Sequence, residues 1–173
     1  MLVAFIGDGE GKTSAAIGHA IRAAGHDKKV AVLQFLKGRT NTGEYKYLSK
    51  HPSIELYLAG EASFVLDKTP KEPHAKKARD GIALAKKLIA SGKYFLIVFD
   101  EILDAQAAGL ISIKDIEDII NMVVAQNNVI MHIILTGRVL PPELSSRIDL
   151  ITQMKKIKHY FDMGDKGIEG LDW

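Results

Sequence analysis

The residues Gly7-Asp8-Gly9-Glu10-Gly11-Lys12-Thr13-Ser14 lie between an apolar run and a helix-spaced stretch, and their types suit one chemistry. Glycines let backbone N–H groups turn inward onto an anion, and the amino terminus of a following helix adds partial positive charge. In such a phosphate loop Lys12 pairs with phosphate oxygens and the Thr13 hydroxyl reaches Mg²⁺. The spacing is unusual, because three residues instead of four separate Gly7 from Gly11. Asp8 and Glu10 bring negative charge to a place meant for phosphates, so their side chains are expected to point away or toward solvent.

Two further groups stand at the ends of apolar runs. Tyr94 to Phe99 leads into Asp100-Glu101, which puts two carboxylates at the carboxyl end of a buried strand. Alone, such a pair is often a surface cap or helix N-cap; downstream of a phosphate loop it reads as the acid that binds or orders Mg²⁺. Val129 to Leu135 leads into Thr136-Gly137-Arg138, bringing a guanidinium to the same edge for a phosphate or leaving-group contact, or else as a surface arginine in a turn. His132 reads as a core residue, and the histidines show no metal-ligand spacing. The basic residues Lys76, Lys77, Arg79, Lys86 and Lys87 read as the solvated side of a helix, as do Lys155, Lys156 and Lys158 near the end of the chain.

These groups need a scaffold that gathers strand ends, and the hydrophobic pattern supplies one. Leu2 to Ile6, Val30 to Phe35, Tyr94 to Phe99 and Val129 to Leu135 are continuous apolar runs, as expected of strands buried on both faces of a parallel sheet. Weaker strands are expected at Ile54 to Leu58 and Leu150 to Met154. Helical spacing runs from Lys12 to Ala24, with Ala16, Ala20 and Ala24 beside Ile17 and Ile21, and from about Glu72 to Ala90, with Ala78, Ile82, Ala85 and Ile89 on one face. Ser112 and Asp115 form a capping box opening a helix whose Ile113, Ile116, Ile120 and Val124 face inward, and Pro141 and Pro142 begin a short one. Ala59 to Pro70 reads as loop. The expectation is a single α/β domain over residues 1–173 with a mostly parallel central sheet.

Composition sets bounds. Net charge is +2, too small to argue for nucleic acid or an anionic membrane. There is no cysteine, so disulfides, thiolate metal sites and cysteine nucleophiles are excluded, and any metal must be held by oxygen or imidazole. No apolar run approaches the roughly 20 residues of a membrane span, and no signal peptide is read before the glycine turn. The cytoplasm is the expected compartment.

With these residues located, the chain resembles the ATP:corrinoid adenosyltransferase family, the P-loop type also called cob(I)alamin adenosyltransferase. Members carry a loop of the form Gly-Asn-Gly-Lys-Gly-Lys-Thr-Thr, matched by Gly7 to Ser14 with its unusual spacing. Gln34-Phe35-Leu36-Lys37-Gly38, Gly43-Glu44, Asp100-Glu101, Thr136-Gly137-Arg138 and Lys158-His159-Tyr160-Phe161-Asp162-Met163-Gly164 extend the similarity over nearly the whole length. The resemblance implies a three-layer P-loop NTPase-like (RecA-like) fold, a homodimer, binding of ATP with Mg²⁺ or Mn²⁺, and release of triphosphate as the adenosyl group passes to Co(I) of cobalamin or a related corrinoid. It also implies electrons from a flavoprotein reductase, with no nucleic acid or membrane partner.

Carried over residue by residue, Gly7, Asp8, Gly9, Glu10, Gly11, Lys12, Thr13 and Ser14 form the ATP phosphate loop. Thr13 and Glu101 serve the metal with Asp100 nearby, and Lys12, Thr13, Glu101 and Arg138 are the catalytic set. Phe64 and Leu66 belong to the corrinoid contact. The chain departs from the pattern at Glu10, where a lysine is often present, and at Leu66, where a tryptophan is often found. Members also often carry a segment before the first strand that helps cover the corrinoid, and the sequence read here opens on that strand. From the residues alone, a small ATPase or kinase acting on the γ-phosphate and a nucleotide-binding module without turnover remain the other readings.

Overall fold

A computed structural model describes residues 1–61, 71–126, 130–164 and 167–172. Six strands form one sheet: β1 (Leu2–Ile6), β2 (Val30–Phe35), β3 (Ile54–Ala59), β4 (Leu96–Asp100), β5 (His132–Thr136) and β6 (Leu150–Gln153). Their order is β3-β2-β4-β5-β1-β6 and every pairing is parallel. The helices are α1 (Lys12–Ala24), α2 (Gly43–Leu48), α3 (Lys71–Ala90), α4 (Ile102–Ala107), α5 (Ile113–Val124) and α6 (Pro142–Ser145), with a 3-10 turn at Tyr160–Met163. This is the α/β architecture that the apolar runs imply, and it is consistent with a P-loop NTPase-like fold.

The continuous apolar runs follow from two cores. On one face Leu33, Phe35, Ile97, Phe99, Ile133 and Leu135 pack with Ile82, Ala85 and Ile89 of α3 and Ile116, Ile119 and Ile120 of α5. On the other, Val3, Phe5, Val30, Val32, Val98 and Ile134 meet α1 through Ala16, Ala20, Ala23 and Ala24. Successive residues of a strand serve opposite faces, so a strand between two helical layers has no position for a solvated side chain. Gly81 inside α3 has a steric reason: a Cβ there would lie 2.6 Å from Ala59 Cβ and 2.9 Å from the Phe35 ring.

Several expectations need correction in detail. In α5 the inward residues are Ile116, Ile119, Ile120 and Val123, while Val124 is 62% exposed, because the buried stripe drifts past it as the helix turns. Ile21 of α1 is exposed for the same reason, and Ala23 takes the buried place. β4 starts at Leu96, leaving Tyr94 and Phe95 before the strand, and β5 starts at His132. His132 is half-buried at the amino end of β5, edge-on to Phe95 at 4.7 Å between ring centroids. α2 and α4 were not foreseen. Thr42 is the N-cap of α2, its side chain accepting from the Tyr45 N–H at 3.4 Å, and fully buried Leu48 anchors the helix.

In parallel order all strands end on one edge, so Gly7, Leu36, Gly60, Glu101, Gly137 and Met154, each next after a strand, converge there. β5 stands between the strand that feeds the glycine loop and the strand that ends in Asp100.

The capping box is present as read: the Ser112 side chain accepts from the Asp115 N–H, and the Asp115 carboxylate accepts from the Ser112 N–H at 2.8 Å. Ser112→Ala is expected to cost about 1 kcal/mol, read as a lower midpoint with unchanged slope in urea unfolding. An unchanged midpoint would show that α5 is held by its buried face alone.

Candidate active site

The glycine loop is shaped by the chain that follows β6. Gly7 and Gly11 have φ of 116° and 101°, in the region that favours glycine. A Cβ on Gly7 would stand 2.1 Å from the Met154 carbonyl oxygen, and one on Gly9 would stand 2.9 Å from Met154 O and Lys155 C. The Gly7 N–H donates to Arg138 O at 2.9 Å and the Gly9 N–H to Met154 O at 2.8 Å. These two glycines therefore serve close packing in this conformation. The start of α1 is open: Gly11 is the N-cap and no side chain caps the helix, which leaves its first N–H groups without a side-chain acceptor. Lys12 is half-buried and folds back, donating to Gly9 O at 2.7 Å.

The acidic side chains of the loop are turned aside. Asp8 Oδ1 accepts from the Lys156 N–H at 3.1 Å, and this bond chiefly holds its carboxyl below the usual range. Glu10 Oε1 accepts from the Tyr160 hydroxyl at 3.0 Å and lies 3.0 Å from His159 Nε2.

Asp100 is fully buried at the end of β4 and accepts four hydrogen bonds. Thr13 Oγ1 and Thr136 Oγ1 donate to its Oδ1 at 2.9 and 2.8 Å. Gln34 Nε2 and Lys37 Nζ donate to its Oδ2 at 3.1 and 2.9 Å. Burial pushes this carboxyl up, but the Lys37 charge and the bonds from Lys37, Thr136 and Gln34 outweigh it and hold the group below its ordinary value. Lys37 Nζ also lies 3.5 Å from Glu101, 3.9 Å from Glu44 and 3.4 Å from Thr13 Oγ1. Burial works against its charge, yet Asp100 and Glu101 prevail and the ammonium is pushed up to about 12. Burial first, then repulsion from Asp100 and Asp104, pushes the Glu101 carboxyl up to about 7 against the pull of Lys37.

A family model described as ATP:corrinoid adenosyltransferase BtuR/CobO/CobP matches residues 1–173. The chain belongs to the ATP:corrinoid adenosyltransferase family. Among its relatives, the corrinoid adenosyltransferase of Escherichia coli (strain K12) is 31% identical over 173 residues, all of this chain and 85% of the relative. That of Pseudomonas aeruginosa is 30% identical over 174 residues, covering all of this chain and 83% of the relative. The corrinoid adenosyltransferase CobA of Salmonella typhimurium is 28% identical over 173 residues, with 85% of it covered.

In this adenosyltransferase the edge of the sheet brings Thr13, Asp100 and Glu101 together as the sequence reading expects. Ser14 is exposed in the first turn of α1, and the Arg138 residue is exposed while its N–H donates to Asp104 Oδ1 at 2.9 Å. Phe64 and Leu66 lie outside the described residues. Lys37, Gln34, Thr136 and Glu44 had been given no role from sequence. The signals for them were a glutamine in an otherwise apolar strand, a threonine closing β5, a lysine two residues past β2 and a glutamate in the first turn of α2.

The donor set of Thr13, Glu44, Asp100 and Glu101 is all oxygen, which suits Mg²⁺ or Mn²⁺ and not a soft metal. Among the described residues no group of three or more histidine, aspartate or glutamate side chains could hold a metal ion by itself.

Thr136 is the hinge of this arrangement, since its hydroxyl donates to Asp100 and accepts from the Glu101 N–H at 2.7 Å. Thr136→Val keeps the shape and removes both bonds. It is expected to lower stability by about 1–3 kcal/mol in urea unfolding. A change within error would mean that Asp100 is satisfied without it.

Proposed function

We propose that the chain transfers the 5′-deoxyadenosyl group of ATP to Co(I) of a corrinoid and releases triphosphate. The observation that carries this reading is the uncapped start of α1 behind a shortened glycine loop, beside the Thr13–Asp100 pair, in a chain matched over its full length by the family model. Co(I) of the substrate is a strong nucleophile and needs no deprotonation. Its electron pair forms the Co–C bond to the ribose 5′ carbon while the C–O bond breaks, and that pair leaves with the triphosphate. The reaction therefore needs no general base.

The chain's part is positioning and charge. Lys12 leaves the Gly9 carbonyl for phosphate oxygens, and the N–H groups at the start of α1 receive the triphosphate. Thr13 and Glu101 would hold Mg²⁺ or Mn²⁺, with Asp100 fixing the Thr13 hydroxyl. When bound, the cation neutralises charge on the leaving triphosphate. Arg138 contacts the leaving group. Phe64 and Leu66 are assigned to the corrinoid contact by the family resemblance of the sequence. A single domain, a homodimer, a flavoprotein reductase and a cytoplasmic setting complete the reading; no helix among the described residues is long and apolar enough to cross a membrane.

Product identity tests the reaction. ATP with chemically prereduced cobalamin is expected to give adenosylcobalamin, seen by its spectrum, and triphosphate in equal amount. ADP and phosphate as products would overturn the reading in favour of γ-phosphate chemistry. Lys12→Ala is expected to lower the rate by about 10²-fold or more with unchanged circular dichroism, because the lost charge faces the phosphates and packs little. Glu101→Gln should be partly rescued by excess Mg²⁺, and an unchanged metal response would reduce Glu101 to a cap.

Phe64→Ala separates two steps. If the ring displaces the lower axial ligand and eases reduction of Co(II), the variant should form product slowly from Co(II) with a protein reductant. It should remain near wild type with prereduced Co(I). Equal loss in both assays would assign Phe64 to general corrinoid binding.

A further inference from the structure

The cation-binding oxygens of this site already surround a positive charge. Lys37 Nζ lies within 4 Å of Thr13 Oγ1, Glu44, Asp100 and Glu101, which form the donor set that suits Mg²⁺. The position is built into the backbone. Leu36, just before Lys37, has φ of 60°, a conformation unusual for leucine, and it turns the chain back over the end of β4. Gly60 stays close behind that turn: a Cβ there would lie 2.3 Å from both Leu36 C and Lys37 N. Glu101, facing Lys37 from the next strand, has φ of 58°. Strain on both strand ends is concentrated where ammonium and carboxylates meet.

We propose that the Lys37 ammonium is the resident cation of the nucleotide-free site, holding these four oxygen-bearing residues in place until the divalent cation arrives with the triphosphate, whereupon Lys37 moves to the phosphate oxygens. The inference rests on the reading that Thr13, Asp100 and Glu101 serve a divalent cation. Its physical basis is competition. An ammonium and a divalent cation cannot share the same carboxylates without strong repulsion, and Asp100 cannot be left buried without a positive partner. The carboxylates of the loop before α1 are already engaged elsewhere, Asp8 with the Lys156 N–H and Glu10 with Tyr160 and His159. A triphosphate supplies negative charge on the same edge of the sheet, and the flexible lysine stem allows the exchange. Metal and nucleotide then bind cooperatively, and each raises the affinity for the other by the same factor.

The test uses the full chain and Mn²⁺, with free Mn²⁺ read by electron paramagnetic resonance. Nucleotide-free wild type is expected to take up little Mn²⁺, and its melting temperature should not respond to Mn²⁺ alone. Nucleotide-free Lys37→Met should bind Mn²⁺ about tenfold or more tightly than wild type. It should melt early in a chelator and recover with Mn²⁺, while Lys37→Arg, which keeps the charge, should stay as weak a binder as wild type. Lys37→Met binding Mn²⁺ no better than wild type would overturn the proposal, as would a variant that Mn²⁺ fails to restore to the folded state. Wild type with ATP and no corrinoid, read against the same Mn²⁺ and ATP without protein because ATP itself binds Mn²⁺, separates this from the underlying reading. Mn²⁺ uptake there, with no gain in Lys37→Met, defeats the exchange alone; no uptake there defeats the divalent-cation assignment and the exchange with it.

Discussion

The carboxylate of Asp100, buried with no contact with water, is the constraint around which the active edge is arranged. Burying a charge costs several kcal/mol unless a counter-charge and hydrogen bonds replace the lost hydration. Here the replacements come from different parts of the chain: Gln34 from β2, Lys37 from the turn beyond it, Thr13 from the first turn of α1 and Thr136 from the end of β5. Satisfying one side chain therefore fixes the relative position of three strand ends and a helix. A hydrophobic residue at 100 would remove the cost and also the reason for those groups to meet.

The same constraint accounts for the unusual backbone nearby. Leu36 and Glu101 take positive φ at the ends of neighbouring strands, a cost of about 1–3 kcal/mol each. The turn at Leu36 carries Lys37 back to Asp100, and the turn at Glu101 begins α4 while its N–H donates to Thr136. Gly137 lets that turn approach, since a Cβ there would lie 2.5 Å from Leu103 Cβ. Backbone strain, the ion pair and close glycine packing are three parts of one solution.

What sequence could and could not disclose divides along the range of the interactions. The sheet was legible because a strand between two helical layers has no solvated position, so Val30 to Phe35 has only one comfortable environment. The glycine loop and Asp100-Glu101 were legible because their chemistry is contiguous. α2 and α4 escaped because each has six residues, too few for a periodic stripe to declare itself. Val124 was assigned inward by counting in fours from Ile116, where the helix, at 3.6 residues per turn, had carried the stripe to Val123. The role of Lys37 was out of reach for a different reason. Nothing beside it in sequence is acidic until Glu44, and its principal partner is 63 positions away.

Glu10 shows how a charge that looks wrong in a motif can be right in the fold. A carboxylate in a phosphate loop repels the ligand when it faces inward, and the field of one charge at 4 Å is far from negligible even in a wet site. In this structure the segment after β6 turns the carboxylate outward. Glu10 meets His159 and Tyr160, Asp8 receives the Lys156 N–H, and the Lys156 ammonium meets Asp162 at 2.9 Å. Lys155, Lys156 and Lys158 line the same cleft as Gly9 and Glu10, a cavity of about 300 Å³. The acidic residues of the loop thus act as anchors for a basic strap, and the strap in turn presses its backbone onto Gly7 and Gly9. The glycines at 7 and 9 are what allow the loop and this basic segment to come so close, so that three lysines stand beside the two carboxylates of the loop.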